Sequence, residues 1–295
     1  MKNRALVLGG GGVAGIAWMT GLLLGLSEHA VDLRSAELTI GTSAGATLAA
    51  QLGSKVSLKE LFERMANPSA QTREITPDPR LLASFQEARA TLASTPDRAE
   101  RIRKIGKWAL ETSTVAESER RAVVASRLPS RAWPDHELWI VAIDAESGET
   151  RVWDRRSGVD LVDAVVASCA VPGIWPPVTI QGRRYMDGGV RSAENADLAK
   201  GYARVLILSP MGTTLPRIGG GGLNEQIEIL QQQGGKPYLI NPDAKSRKAM
   251  GLNPLSPETR GPAANAGRKQ GRSIAVDLAA FWKPARPQES EPVIS

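Results

Sequence analysis

Gly41-Thr42-Ser43-Ala44-Gly45 fits G-x-S-x-G, a pattern whose small residues let the chain turn sharply enough to hold a hydroxyl above a sheet, beside a helix N-terminus. A serine held there performs acyl transfer once it has a base for its proton and donors for an oxyanion. Histidine is the usual base, yet the chain has two: His29, ahead of the serine, and His136, in the polar turn Pro134-Asp135-His136-Glu137. No histidine follows His136, so the order serine, acid, late histidine is not available. That scarcity points to a carboxylate base. Asp187 is the candidate, because Gly188 and Gly189 behind it permit close approach of backbone and substrate. Taken alone, Asp187-Gly188 reads more readily as a hairpin turn. A carboxylate of ordinary pKa is a poor base for a serine, so this role demands a partly dry site and a direct hydrogen bond to the hydroxyl.

Donors for an oxyanion could come from the backbone of Gly9, Gly10, Gly11 and Gly12, which follow a short apolar run. Gly10-x-Gly12-x-x-Gly15 fits the dinucleotide-binding fingerprint just as well, and a nucleotide-dependent oxidoreductase is the rival reading. The rival needs an acidic residue at the end of the second strand. That strand ends instead in Gly41-Thr42-Ser43, with Asp32 and Glu37 ahead of it.

The elements that must position these groups follow from pattern. Ala5 to Leu8 is an apolar run bounded by glycine, as in a buried parallel strand, and a helical stretch from about Gly15 to Glu28 follows the glycine turn. Leu38 to Ile40 reads as a second strand and Ala44 to Leu52 as a small-residue helix, so two strand–turn–helix units argue for an α/β layer architecture. Residues 54–134 differ: helical spacing over Leu58–Met65, Arg80–Leu92, Arg98–Leu110 and Ser118–Leu128, punctuated by Pro68, Pro77, Pro79 and Pro96, predicts a helical insertion or cap. Strands return at Leu138–Ile143 and Thr150–Trp153, joined by the turn Glu146-Ser147-Gly148-Glu149. A helix over Leu161–Ser168, a hairpin over Val178–Ile180 and Arg184–Met186, strands at Val205–Leu208 and Tyr238–Ile240, and a helix over Leu223–Gln233 complete the pattern. Pro257 to Trp282 has helical composition, Gly219 to Gly222 reads as a mobile loop, and Lys283 to Ser295 as a disordered tail after a single domain over 1–282.

Composition sets outer bounds. With 295 residues, 42% hydrophobic and 23% charged, the chain can bury a large core. The net charge of +6 is concentrated, since residues 54–134 hold fifteen Lys and Arg against ten Asp and Glu. Such a segment attracts phosphate, and Arg101, Arg103, Lys104 and Lys107 form its candidate docking face for an anionic membrane; a solvated helical face is the plainer account. With aromatic residues at 4% and no nucleic-acid motif, nucleic acid is not an expected partner. The lone Cys169 cannot pair within the chain and sits in an apolar stretch, so a reducing, cytoplasmic location is expected, with peripheral membrane contact allowed. Met1 to Arg4 and the apolar run behind them have the outline of a secretory signal, but four glycines interrupt it and no cleavage site follows. No apolar run reaches membrane-spanning length.

Together, a glycine-rich loop after the first strand, G-x-S-x-G after the second and a distant Asp-Gly-Gly resemble the patatin-like phospholipase family. Ser168-Cys169-Ala170-Val171-Pro172-Gly173-Ile174-Trp175-Pro176-Pro177, Asp187-Gly188-Gly189-Val190 and Asn195-Ala196-Asp197 extend the likeness, which covers residues 4–53 and 138–210 well. The resemblance implies a three-layer α/β/α fold with a mostly parallel central sheet. It also implies a Ser43–Asp187 dyad acting through an acyl-enzyme, Gly9 to Gly12 as oxyanion hole, Gly41, Gly45, Gly188 and Gly189 as supporting motif positions, and neither metal nor cofactor. Its substrates would be phospholipids, lysophospholipids or simple carboxylic esters. One departure is visible: Ala14 stands where many relatives carry arginine, which removes a charge that could meet a phosphate. A catalytically silent, membrane-docking relative is a third reading. Trp108 and Trp133 are candidates for the lid and acyl-chain pocket of the insertion.

Overall fold

Alternation between short all-apolar strands and helices commits this chain to a sheet covered on both faces. The computed structural model describes residues 2–212 and 222–282. Strands β1 (Lys2–Leu8), β2 (Leu38–Thr42), β3 (Glu137–Asp144), β4 (Thr150–Trp153), β5 (Val178–Ile180), β6 (Arg183–Asp187), β7 (Tyr202–Leu208) and β8 (Lys236–Ile240) form one sheet whose hydrogen-bonded succession is β5-β6-β3-β2-β1-β7-β8, with β6 and β2 meeting successive stretches of one edge of β3 and β4 paired to its other edge. The pairs among β3, β2, β1, β7 and β8 are parallel, and β4, β5 and β6 run antiparallel to their neighbours. This is the mostly parallel α/β sheet expected.

One face of the sheet carries α1 (Gly12–Ser27), α2 (Ala44–Leu52), α7 (Leu161–Ser168) and α10 (Arg260–Trp282) in the main core. On the other face Val7, Ile40, Val141, Val205 and Ile207 pack against Ala196, Ala199, Leu223 and Leu230, the last two from α8 (Leu223–Gln232). Helix α1 is buried from Val13 to Leu26, as a helix apolar all round must be. Its partner is α10, and glycines on both helices set the closeness of their contact. A methyl on Gly21 would lie 2.0 Å from the Ala264 carbonyl oxygen, and one on Gly267 2.1 Å from that of Trp18; Gly25 and Gly271 repeat the arrangement one turn on.

Within residues 54–134 the helices are α3 (Leu58–Ala66), α4 (Pro79–Ala93), α5 (Arg98–Glu111) and α6 (Glu117–Arg127), each within two residues of its expected limits. Three of them are anchored to the main body. Leu58, Leu61, Phe62 and Met65 of α3 and Val124 and Ala125 of α6 belong to the main core, while Ile102 and Ile105 of α5 pack on Ile143 and Met186. Helix α4 alone buries no residue. Helix α9 (Ala244–Met250) has no counterpart in the sequence reading, since Ser246 and Met250 are its only buried residues and leave no apolar period to detect. The predicted tail, Lys283 to Ser295, and Gly219 to Gly221 of the predicted loop lie outside the described residues. Among the described residues no helix is long and apolar enough to cross a membrane.

Candidate active site

Ser43 stands between β2 and α2 with φ 55° and ψ −115°, a backbone conformation costly for any residue with a Cβ. Small neighbours make the turn possible. A methyl on Gly45 would lie 1.8 Å from the Leu8 carbonyl oxygen, and one on Gly41 2.6 Å from the Ala46 Cα. The strained peptide is clamped by side chains from α7 and its C-terminal turn. The Ser43 N–H donates to Ser168 Oγ at 2.9 Å, Ser168 Oγ–H donates to the Val141 carbonyl at 2.6 Å, and Cys169 Sγ–H donates to the Ser43 carbonyl at 3.2 Å. Cys169 is thus a buried structural thiol whose burial raises its pKa.

Strand β3 brings the aspartate to the serine. Val141 is paired with Thr42 in parallel register and with Val152 of β4, while the next residue, Ala142, is paired with Asp187 and with Arg151 of β4. Since β4 occupies one edge at both positions, β2 and β6 share the other, and Asp187 follows directly beyond the end of β2. Gly188 makes this approach sterically possible, because a methyl there would meet the Val141 carbonyl oxygen at 2.4 Å. Asn195, in the left-handed region at φ 53°, ties the two segments together: its Nδ2 donates to Thr42 Oγ1 at 3.0 Å and to the carbonyls of Ser192 and Gly188.

Asp187 Oδ1 accepts the Gly189 N–H at 2.7 Å, and Oδ2 is buried without a hydrogen-bond partner. Desolvation raises the carboxyl pKa to about 7; the nearby Ser43 hydroxyl and the Gly189 N–H pull the other way without offsetting it. Both residues line an apolar cavity of about 200 Å³ together with Gly10, Gly11 and Gly12.

The glycine loop divides. Gly9 and Gly10 direct their N–H groups into the fold, to the carbonyls of Leu208 (2.9 Å) and Ala193 (2.8 Å), so these two amides are occupied. The amides of Gly11, Gly12 and Val13 make no such bond among the described residues, as expected of a helix N-terminus. Gly10 still faces the serine, its methyl position lying 4.0 Å from Ser43 Oγ.

The cavity rim differs from expectation. Neither Trp108 nor Trp133 lines it: the Trp108 ring lies against Gly173, and Trp133 Nε1–H donates to the Val159 carbonyl at 2.8 Å. Phe85 of α4, Met211, Pro254 and Leu255 are there instead. Nothing local in the sequence marks Phe85, because α4 has no clean apolar face. Ser168 and Asn195 could have been found as the polar residues of otherwise apolar or glycine-rich stretches.

A patatin-like phospholipase family model matches residues 6–200. Among solved structures, VipD from Legionella pneumophila is similar at 15% identity and TM-score 0.42, covering 94% of this chain and 67% of that one. The type III effector protein ExoU is similar at 15% identity and TM-score 0.41, covering 96% of this chain and 54% of that one. A sequence search of curated proteins found no match. The matched segment runs from β1 through both the strained serine and the buried aspartate, and the chain belongs to the patatin-like phospholipase family, a family of lipid acyl hydrolases.

Proposed function

We propose that the protein hydrolyses lipid acyl esters with Ser43 as nucleophile and Asp187 as its base. Ser43 Oγ attacks the ester carbonyl carbon while its proton passes to Asp187 Oδ2; the amides of Gly11 and Gly12 stabilise the resulting oxyanion. Collapse of that intermediate breaks the bond to the alcohol, which leaves with the proton from Asp187, and the acyl group stays on Ser43. Water then gives its proton to Asp187, attacks the acyl-enzyme and releases the fatty acid, and Ser43 recovers its proton. Gly9 and Gly10 shape the loop in this scheme and do not donate.

One observation carries the reading: a buried carboxylate with one unpartnered oxygen shares an apolar cavity with a serine in strained backbone geometry. The loop's reading as a dinucleotide site lacks its acidic residue, because β2 ends in Thr42 and leads into Ser43. The expected result is that an uncharged fluorophosphonate probe labels the wild type at Ser43 and leaves Ser43→Ala unmodified, with ester hydrolysis lost in both Ser43→Ala and Asp187→Asn. Full turnover by Asp187→Asn would remove the aspartate from the scheme.

A further inference from the structure

A second, smaller cavity of about 20 Å³ opens beside the first and shares Gly12 and Ser43 with it. Val13, Ala44, Arg120 and Arg127 also line it. The two arginines lie seven residues apart on α6, hence two turns apart on one face, and are 5% and 7% exposed. Their neighbourhood is rich in positive charge. Both guanidinium groups bind Glu74, Arg120 Nη1 donating to Oε1 at 2.9 Å and Arg127 Nη2 to Oε2. Arg260, which donates to the Thr72 carbonyl, also interacts with Glu74, so three guanidinium groups draw on this one carboxylate. Arg120 is stacked on the Trp175 ring at 3.9 Å, and its Nε–H is buried with no acceptor.

Buried charge without compensation is costly, and a donor without a partner adds to that cost. The consequence is visible in Arg120, whose pKa burial and the nearby Arg127 charge lower to about 10. An anionic oxygen entering this cavity would relieve both. The space is that of a single water-sized group, so it admits one such oxygen and leaves the remainder of the anion in the larger cavity.

We propose that Arg120 and Arg127 form an anion subsite beside Ser43 that takes a phosphate oxygen of the ester substrate, so that this pair on α6 discriminates phosphate-bearing glycerolipids from neutral ones. The assignment rests on Ser43 as the nucleophile. A glycerol backbone holds its phosphate only a few bonds from the ester carbonyl, which suits two cavities that meet at one serine. The arginines also supply, from the insertion, a charge of the kind that Ala14 leaves out of the glycine loop.

The test compares two substrates with the same acyl chains, dioctanoyl phosphatidylcholine and dioctanoylglycerol, on the full chain. Arg120→Gln is expected to lower kcat/KM for the phospholipid about tenfold more than for the diacylglycerol, the scale of one charge-assisted hydrogen bond. Equal losses on both substrates, or none, overturn the subsite. Glu74→Gln acts in the opposite direction by releasing both guanidinium groups, and is expected to lower KM for the phospholipid relative to the diacylglycerol; an unchanged ratio overturns the proposal even if Arg120→Gln fails to fold. Inorganic phosphate that inhibits the wild type while neither substrate is preferred overturns the lipid assignment. If no ester is cleaved and the fluorophosphonate probe leaves Ser43 unlabelled, the nucleophile assignment fails by itself. The subsite is then read by calorimetry of glycerol 3-phosphate binding to Ser43→Ala, with binding expected and its loss expected in Ser43→Ala/Arg120→Gln; absence of binding overturns it.

Discussion

In the proposed mechanism Asp187 joins catalysis to stability through a single carboxyl group. A pKa near 7 leaves the proposed base half ionised at neutral pH, so kcat/KM for a neutral ester should rise with pH, with its midpoint near 7, and reach a plateau above. A flat profile from pH 5 to 9 would contradict this. The stability effect has the opposite direction. The native carboxyl holds its proton more tightly than the unfolded one, so its contribution is fully present below about pH 4 and is lost as pH rises through 7. Asp187→Asn keeps an acceptor for the Gly189 N–H and removes the buried charge. It is expected to melt several degrees above the wild type at pH 8, with the gap closing toward pH 4; equal melting temperatures at pH 8 would show that burial does not penalise the carboxylate. That Asp187 lines one cavity with Ser43 could be anticipated from the sequence, because so few histidines compete for the role proposed for it. The division of the glycine loop was not, since the carbonyls that occupy Gly9 and Gly10 belong to Leu208 and Ala193, nearly two hundred residues away.

Among the elements, β3 and α7 set the distance between serine and aspartate. Strand and helix limits were readable to within a few residues wherever an apolar period or a glycine marks the end, as at Ala44–Leu52, Thr150–Trp153 and Leu161–Ser168. Pairing was not readable. That Thr42 and Asp187 meet adjacent residues of one strand depends on a parallel register on one side and an antiparallel register beyond it, and no local pattern encodes either. Ser168 fixes the same junction from α7, holding both the Ser43 N–H and the Val141 carbonyl. Ser168→Ala leaves both groups without their partner, a cost of roughly 1–3 kcal/mol. We expect kcat to fall about ten- to a hundredfold with KM nearly constant and the melting temperature lowered by a few degrees, as befits a positioning residue. A rise in KM alone, with kcat intact, would assign Ser168 to substrate binding instead.

For the whole molecule, the seam between α1 and α10 is the long-range contact on which the glycine loop depends, because that loop caps the N-terminus of α1. Gly267→Ala places a methyl 2.1 Å from the Trp18 carbonyl oxygen, a clash with backbone that no rotamer relieves. The expected loss is about 3 kcal/mol, the upper range for overpacking, read as a lowered midpoint in urea with the slope unchanged. A midpoint like that of the wild type would mean that the helices separate without penalty. The seam also joins the family-matched segment, which ends at residue 200, to a helix beyond it. During translation, therefore, β1, the serine turn and the aspartate all leave the ribosome long before the surface that must cover α1 exists. A nascent chain halted ahead of Arg260 carries every residue of the proposed chemistry but exposes a wide apolar helix, so it will be a client for chaperones rather than an enzyme.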